Sequence, residues 1–224
     1  MPHFDIVKYS PVSKSFRTEK IRADFDVTPE SAGEHFVGQI NLPDDWNIGV
    51  IVGGSGTGKS TIAKEIFGKQ YISDFHYSAA SVVDDMPDVG MDKIERAFYA
   101  VGFGSVPCWL KPYSVLSNGE KMRVDLARAM LERDFFVFDE FTSVVDRQVA
   151  QTASLAIAKA IRKAGKKFVA VACHFDILPW LQPDWVLNTD TMESFFGVAH
   201  DRKKNLLCEN AVTESGQILS VITI

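Results

Sequence analysis

Residues Gly53-Gly54-Ser55-Gly56-Thr57-Gly58-Lys59-Ser60 fill the spacing G-x-x-x-x-G-K-[ST] at every position. These residue types at this spacing suit a polyphosphate. The glycines let the backbone turn sharply and aim several N–H groups at one point. A helix beginning there adds partial positive charge. On this reading Gly53, Ser55, Gly56, Thr57, Gly58 and Thr61 shape the cradle, Lys59 reaches the outer phosphates, and the Ser60 hydroxyl is a ligand for Mg²⁺. The implied cofactors are ATP and Mg²⁺. A second pattern supplies acid groups. Phe135-Phe136-Val137-Phe138 is an apolar run ending in Asp139-Glu140. A parallel strand delivers its C-terminal end to a ligand crevice. Asp139 would then support the metal and Glu140 would polarise an attacking water. The plain alternatives are an ordinary Gly-rich turn and a strand ending in a solvated Asp-Glu pair.

The elements around these residues must hold them at one edge of a sheet. Residues 48–52 form a short apolar run suited to a buried central strand, and 60–67 have helical spacing with Gly68 as a stop. Helices are expected over 92–101, 118–133 and 146–164, the last capped by Asp146 and stopped by Gly165. Residues 135–138 and 168–172 read as further buried strands. Strands alternating with helices imply an α/β fold with a mainly parallel sheet. Before this core, 4–9 and 16–27 alternate apolar and polar residues and read as strands. Residues 28–46 read as a loop-rich excursion with a short strand over 35–40. In the tail, 200–205 reads as a polar turn and 221–224 as an edge strand.

Composition sets the bounds. The 224 residues, 46% hydrophobic, support one sizeable core, and a net charge of −5 disfavours general coating of nucleic acid. The three cysteines are widely spaced and odd in number, which favours a reducing compartment, and a cytoplasmic location is expected. Neither a signal-peptide pattern nor an apolar run long enough to span a bilayer is visible, so no direct membrane insertion is expected.

Leu116-Ser117-Asn118-Gly119-Glu120 lies just before the acid-tipped strand. It resembles the LSGGQ signature of ABC ATPases, with Asn118 and Glu120 substituted. Ser143-Val144-Val145-Asp146 resembles the D-loop of that family, and His174 its switch histidine. Phe16 stands where the family places an aromatic that stacks on adenine. The alternatives are a simple N-cap at Ser117, a structural histidine and an ordinary core phenylalanine. With the phosphate loop, these motifs occur in the family's order over about residues 16–185. The resemblance implies a P-loop core of ABC type with a mainly parallel sheet, a small antiparallel β region and a reduced helical subdomain. It also implies one domain over 1–224, divided as 1–47, 48–79, 80–133, 134–190 and 191–224. It implies a head-to-tail homodimer in which Ser117, Gly119 and Glu120 of one chain close over ATP on the other. Glu140 and His174 would be its catalytic residues. The family's Q-loop glutamine has no obvious counterpart. Asp84, with Asp85 beside it, is expected to approach Mg²⁺ in its place, a solvated acidic turn being the alternative.

The stretch between the phosphate loop and Leu116 is short beside that of transporter subunits, and it has no room for a long coiled coil. The chain thus resembles the compact, non-transport members, in particular the ABC ATPases fused to predicted acetyltransferase domains. Any acetyltransferase activity is expected to need a separate partner. Three functions stay open: an ATP hydrolase in a nucleic-acid or phage–host process, the ATPase subunit of a membrane transporter, and a slow nucleotide-gated interaction module. An unidentified protein partner is expected in each.

Overall fold

The structure, a computed structural model, describes residues 2–9, 14–27, 33–197, 210–212 and 218–220. The expected turn over 200–205 and edge strand over 221–224 lie outside the described residues.

The phosphate loop is carried by strand β3 (Ile48–Val52), which is buried along its whole length. Two parallel neighbours flank it, β6 (Lys167–Ala172) and β7 (Trp185–Asn188). The strand bearing the acid pair, β5 (Phe135–Phe138), pairs with the far side of β6. The two-residue β4 (Tyr71–Ile72) pairs in parallel with β5, and β8 (Glu193–Phe196) closes the other edge antiparallel to β7. The six-stranded order is therefore β4-β5-β6-β3-β7-β8. One strand, β6, separates the phosphate loop from the acids.

Period-two alternation divides the core between the two faces of the sheet. Ile48, Val50 and Val52 point into the larger cluster, with helices α3 (Met91–Ala100), α5 (Asn118–Glu132) and α6 (Arg147–Ala164). Ile51 points into the other cluster, with α2 (Lys59–Phe67), Trp46 and Trp185. A β-carbon at Gly49 would lie 2.0 Å from the Trp185 ring, so the glycine is what lets the indole cross the strand. Helix α6 is built as expected. Asp146 accepts from the N–H groups of Gln148 and Val149, and Gly165 ends the helix at φ 64°.

The N-terminal segment departs from expectation. Strand β1 (His3–Tyr9) pairs antiparallel with β2 (Gly33–Gln39), longer than the strand expected over 35–40. Between them Phe16–Phe25 is a helix, α1, not a strand. Ser15 caps it by accepting from the Thr18 N–H, and Glu19 sits in its first turn. The alternation of apolar residues is outweighed because no sheet partner is available and no residue of α1 is buried. The small antiparallel region is thus a two-stranded hairpin carrying an exposed helix. Two short pieces, α4 (Val106–Trp109) and α7 (Ile177–Leu181), complete the connections. A second two-stranded sheet joins β9 (Asn210–Val212) and β10 (Ile218–Ser220). Among the described residues, no helix is long and apolar enough to cross a membrane.

Candidate nucleotide site

Register sets the site. Val52 is level with Ala172, and Phe138 with Ala170. The residues that follow, Gly53, Cys173-His174 and Asp139-Glu140, therefore leave three neighbouring strands at one edge of the sheet. His174 emerges between the phosphate loop and the acids. It is exposed.

The phosphate loop has the backbone that its glycines permit. Gly56 lies at φ 82° and Gly58 at φ 85°, where Gly58 is the N-cap residue of α2. A β-carbon at Gly56 would meet nothing within 4 Å, whereas one at Gly58 would strike the Phe36 ring at 2.6 Å. Phe36, from β2, is thus the aromatic that the N-terminal hairpin brings to the loop. Phe16, expected to stack on adenine, begins the exposed helix α1 and is 83% exposed. The Lys59 ammonium donates to the Gly54 carbonyl at 2.5 Å, and the Thr57 hydroxyl donates to the same carbonyl at 2.9 Å. Ser55 is exposed, while Ser60 and Thr61 are half-buried in the first turn of α2.

A second layer behind the loop was not visible in the sequence. The turn after β7 presents Thr189 and Asp190. The hydroxyls of Thr189 and Thr57 are 2.6 Å apart. The Asp190 carboxylate accepts the Gly54 N–H at 2.8 Å. Gly53 must lack a side chain here, since a β-carbon would sit 2.2 Å from the Thr189 hydroxyl.

At the acid pair, one oxygen of Asp139 accepts the Glu140 N–H at 2.9 Å and the other accepts the Tyr71 hydroxyl. Burial, then the bond to Asp139, pushes the Tyr71 phenol well above its ordinary value. Tyr71 thus engages one of the two groups expected at the metal. Glu140 is exposed and held at φ 50°, and Thr142 is buried at φ 65°. Such left-handed backbone in residues with a side chain is costly and clusters at functional sites.

Ser117 caps α5 in a full capping box. Its hydroxyl accepts the Glu120 N–H, and the Glu120 carboxylate accepts the Ser117 N–H at 2.8 Å. The bond from the Ser117 N–H foremost holds the Glu120 carboxyl below its ordinary value. Ser117 and Asn118 remain exposed, while a β-carbon at Gly119 would press Val149 of α6 at 3.1 Å. Gly119 therefore serves the close approach of two helices.

In the segment expected to stand in for the missing glutamine, the two carboxylates have local partners. Asp84 is bonded to the Ser81 hydroxyl at 2.5 Å, and Asp85 accepts the N–H groups of Ser78 and Ala79. Both stabilise a local acidic turn. A cavity of about 480 Å³ opens beside Asp139 and Glu140, and its acidic wall includes Asp74 but not Asp84. Ser73-Asp74 directly follows β4, the strand paired with β5, so sheet pairing delivers Asp74 to this edge.

The donors fit a magnesium–triphosphate pair. Among the described residues, no group of three or more His, Cys, Asp and Glu side chains is assembled that would hold a metal alone. A sparse hydroxyl–carboxylate pair suits Mg²⁺, which keeps waters and takes phosphate oxygens for its remaining positions.

No protein-family model matches the sequence, and no curated protein matches it. Solved structures do. The dimeric ABC transporter cassette MJ0796, described as bacterial, aligns over 69% of this chain and 87% of its own, at 14% identity and a TM-score of 0.54. The chain has the fold of an ABC ATP-binding cassette. The same cassette in a post-hydrolysis dimer bound to ADP and Pi aligns over the same shares at 14% identity and a TM-score of 0.55. An inward-facing ABC transporter assigned to the metal-chelate type aligns over 75% of this chain and 78% of its own, at 17% identity and a TM-score of 0.58. The cassette fold accounts for the mainly parallel sheet and the small antiparallel region.

Proposed function

We propose that this chain binds ATP with Mg²⁺ and hydrolyses it as a head-to-tail dimer. The observation that carries the reading is the convergence of the phosphate loop, Asp139-Glu140 and His174 on the ends of β3, β5 and β6. The solved dimer of the cassette MJ0796, and its ADP- and Pi-bound state, support the same arrangement here.

In this reading the loop N–H groups and the start of α2 cradle the phosphates, and Lys59 leaves the Gly54 carbonyl to neutralise their outer charge. Ser60 and Asp139 hold the magnesium, whose chemistry is to screen the charge on the transferring phosphoryl group. Glu140, exposed beside the cavity, orients the attacking water and accepts its proton. His174, between loop and acids, steadies the reacting phosphate. Ser117 and the α5 N-terminus of a second copy close the far side. Asp74, rather than Asp84, takes the place of the missing glutamine. The product of the cycle is opening and closing of the dimer, which a bound partner protein would read.

Glu140→Gln tests the catalytic assignment. It should lower ATP turnover by about 10²–10⁴-fold and accumulate an ATP-bound dimer, seen by light scattering. Unchanged turnover in that variant would remove Glu140 from the chemistry.

A further inference from the structure

Tyr71 belongs to no motif, yet its hydroxyl reaches Asp139, a residue of the proposed metal site. It donates to one oxygen of Asp139. Three features fix it there. Strand β4 pairs with β5 so that Tyr71 lies opposite Val137, two residues before Asp139. The Lys64 ammonium of α2 lies 4.8 Å from the ring centre, on its face. The other oxygen of Asp139 is engaged by the Glu140 N–H.

The lone pairs of Asp139 decide the consequence. A carboxylate offers about four acceptor sites, two on each oxygen. The Glu140 N–H takes one and the Tyr71 hydroxyl takes one on the other oxygen, which fixes the carboxylate plane and aims the sites left over. A carboxylate that supports Mg²⁺ through water must present a free lone pair in a set direction, and groups bonded to a ligand set that direction. We propose that Tyr71 is a positioning residue for the metal site: its O–H orients Asp139 toward the magnesium. The proposal rests on the ATP–magnesium reading of the same site.

The test separates metal from nucleotide. ATP binding is measured by calorimetry in EDTA and then across a Mg²⁺ titration, with Mn²⁺ as a paramagnetic probe of metal bound alongside ATP. Tyr71→Phe should raise the Mg²⁺ needed for half-saturation by about tenfold, within the range for removing a group that orients a metal ligand. Metal-free ATP binding should be unchanged. In an Asp139→Asn background the same change should have no further effect. If Tyr71→Phe costs the fold, 4-methoxyphenylalanine at position 71, which keeps the ring and oxygen but has no proton to donate, should give the same shift. Wild-type Mg²⁺ dependence in a folded variant overturns the role of Tyr71 while leaving the nucleotide reading intact. A wild-type chain that takes up no ATP with Mg²⁺ overturns that reading and this inference together.

Discussion

Asp190 shows how one side chain can govern a loop that it does not belong to. Its carboxylate holds the Gly54 N–H at 2.8 Å, and its neighbour Thr189 meets Thr57 at 2.6 Å. A glycine-rich loop has much conformational freedom to lose on binding, and these two bonds remove part of it in advance. Asp190→Ala should therefore weaken ATP binding by roughly tenfold, the scale of one hydrogen bond to a charged group. Asp190→Asn keeps an acceptor and should lose less. Isothermal titration of the three proteins with ATP checks the order. Equal affinities would reduce the contact to a surface bond.

At the scale of elements, the acidic cavity is walled by a strand exit and a helix that are tied together. Tyr77, beyond β4, and Tyr113, before α5, stack with ring centres 3.9 Å apart. Both hydroxyls donate to Asp125 of α5, at 2.7 and 2.8 Å, and Arg128 of the same helix lies 5.0 Å from the Tyr77 ring centre. Burial pushes Asp125 up against the pull of its two donors. Burial, then Asp125, pushes both phenols well above their ordinary value. The sign follows from proton counts. Above about pH 10 an unfolded chain releases phenol protons that the folded chain keeps, so stability present below that pH is lost as pH rises through it. Urea unfolding between about pH 8 and pH 11 should show this fall. Tyr77→Phe should flatten the fall, and at neutral pH it should cost about 1–3 kcal/mol for the donor lost to a buried acceptor.

At the scale of the molecule, the proposed dimer needs an exposed surface around the start of α5. Ser117 and Asn118 are exposed at the start of α5, and Val144 is exposed in the loop after the acids. Helix N-termini attract phosphate, so the α5 start is suited to the triphosphate of another chain. Ser117→Arg should block ATP-dependent dimerisation in analytical ultracentrifugation while sparing ATP binding by the monomer. If monomer binding is lost as well, the α5 start acts within its own chain and the cross-subunit arrangement is wrong.

The sequence by itself determined the phosphate loop, the acid-tipped strand, the α/β alternation and the capped helices. Each of these is encoded within a few residues: glycine freedom and Lys59-Ser60 in one run, an apolar strand before Asp139, and Asp146 and Gly165 at the two ends of α6. Local sequence failed where neighbours decide. The alternation in 16–27 suited a strand, but without a sheet partner it became an exposed helix capped by Ser15. Phe36 meets the phosphate loop because β2 pairs with β1 and turns that ring onto Gly58. Asp74 was hidden because β4 is only two residues long, and its pairing with β5 sets where the chain re-enters the site. Tyr71 and Asp139 are 68 residues apart, and Gly54 and Asp190 are 136 apart. Only the order β4-β5-β6-β3-β7-β8 brings these pairs within hydrogen-bonding distance. Tertiary structure thus decided which side chains stand behind the motif residues, because hydrogen bonds act over a few ångströms and no spacing in the chain records which strands will lie side by side.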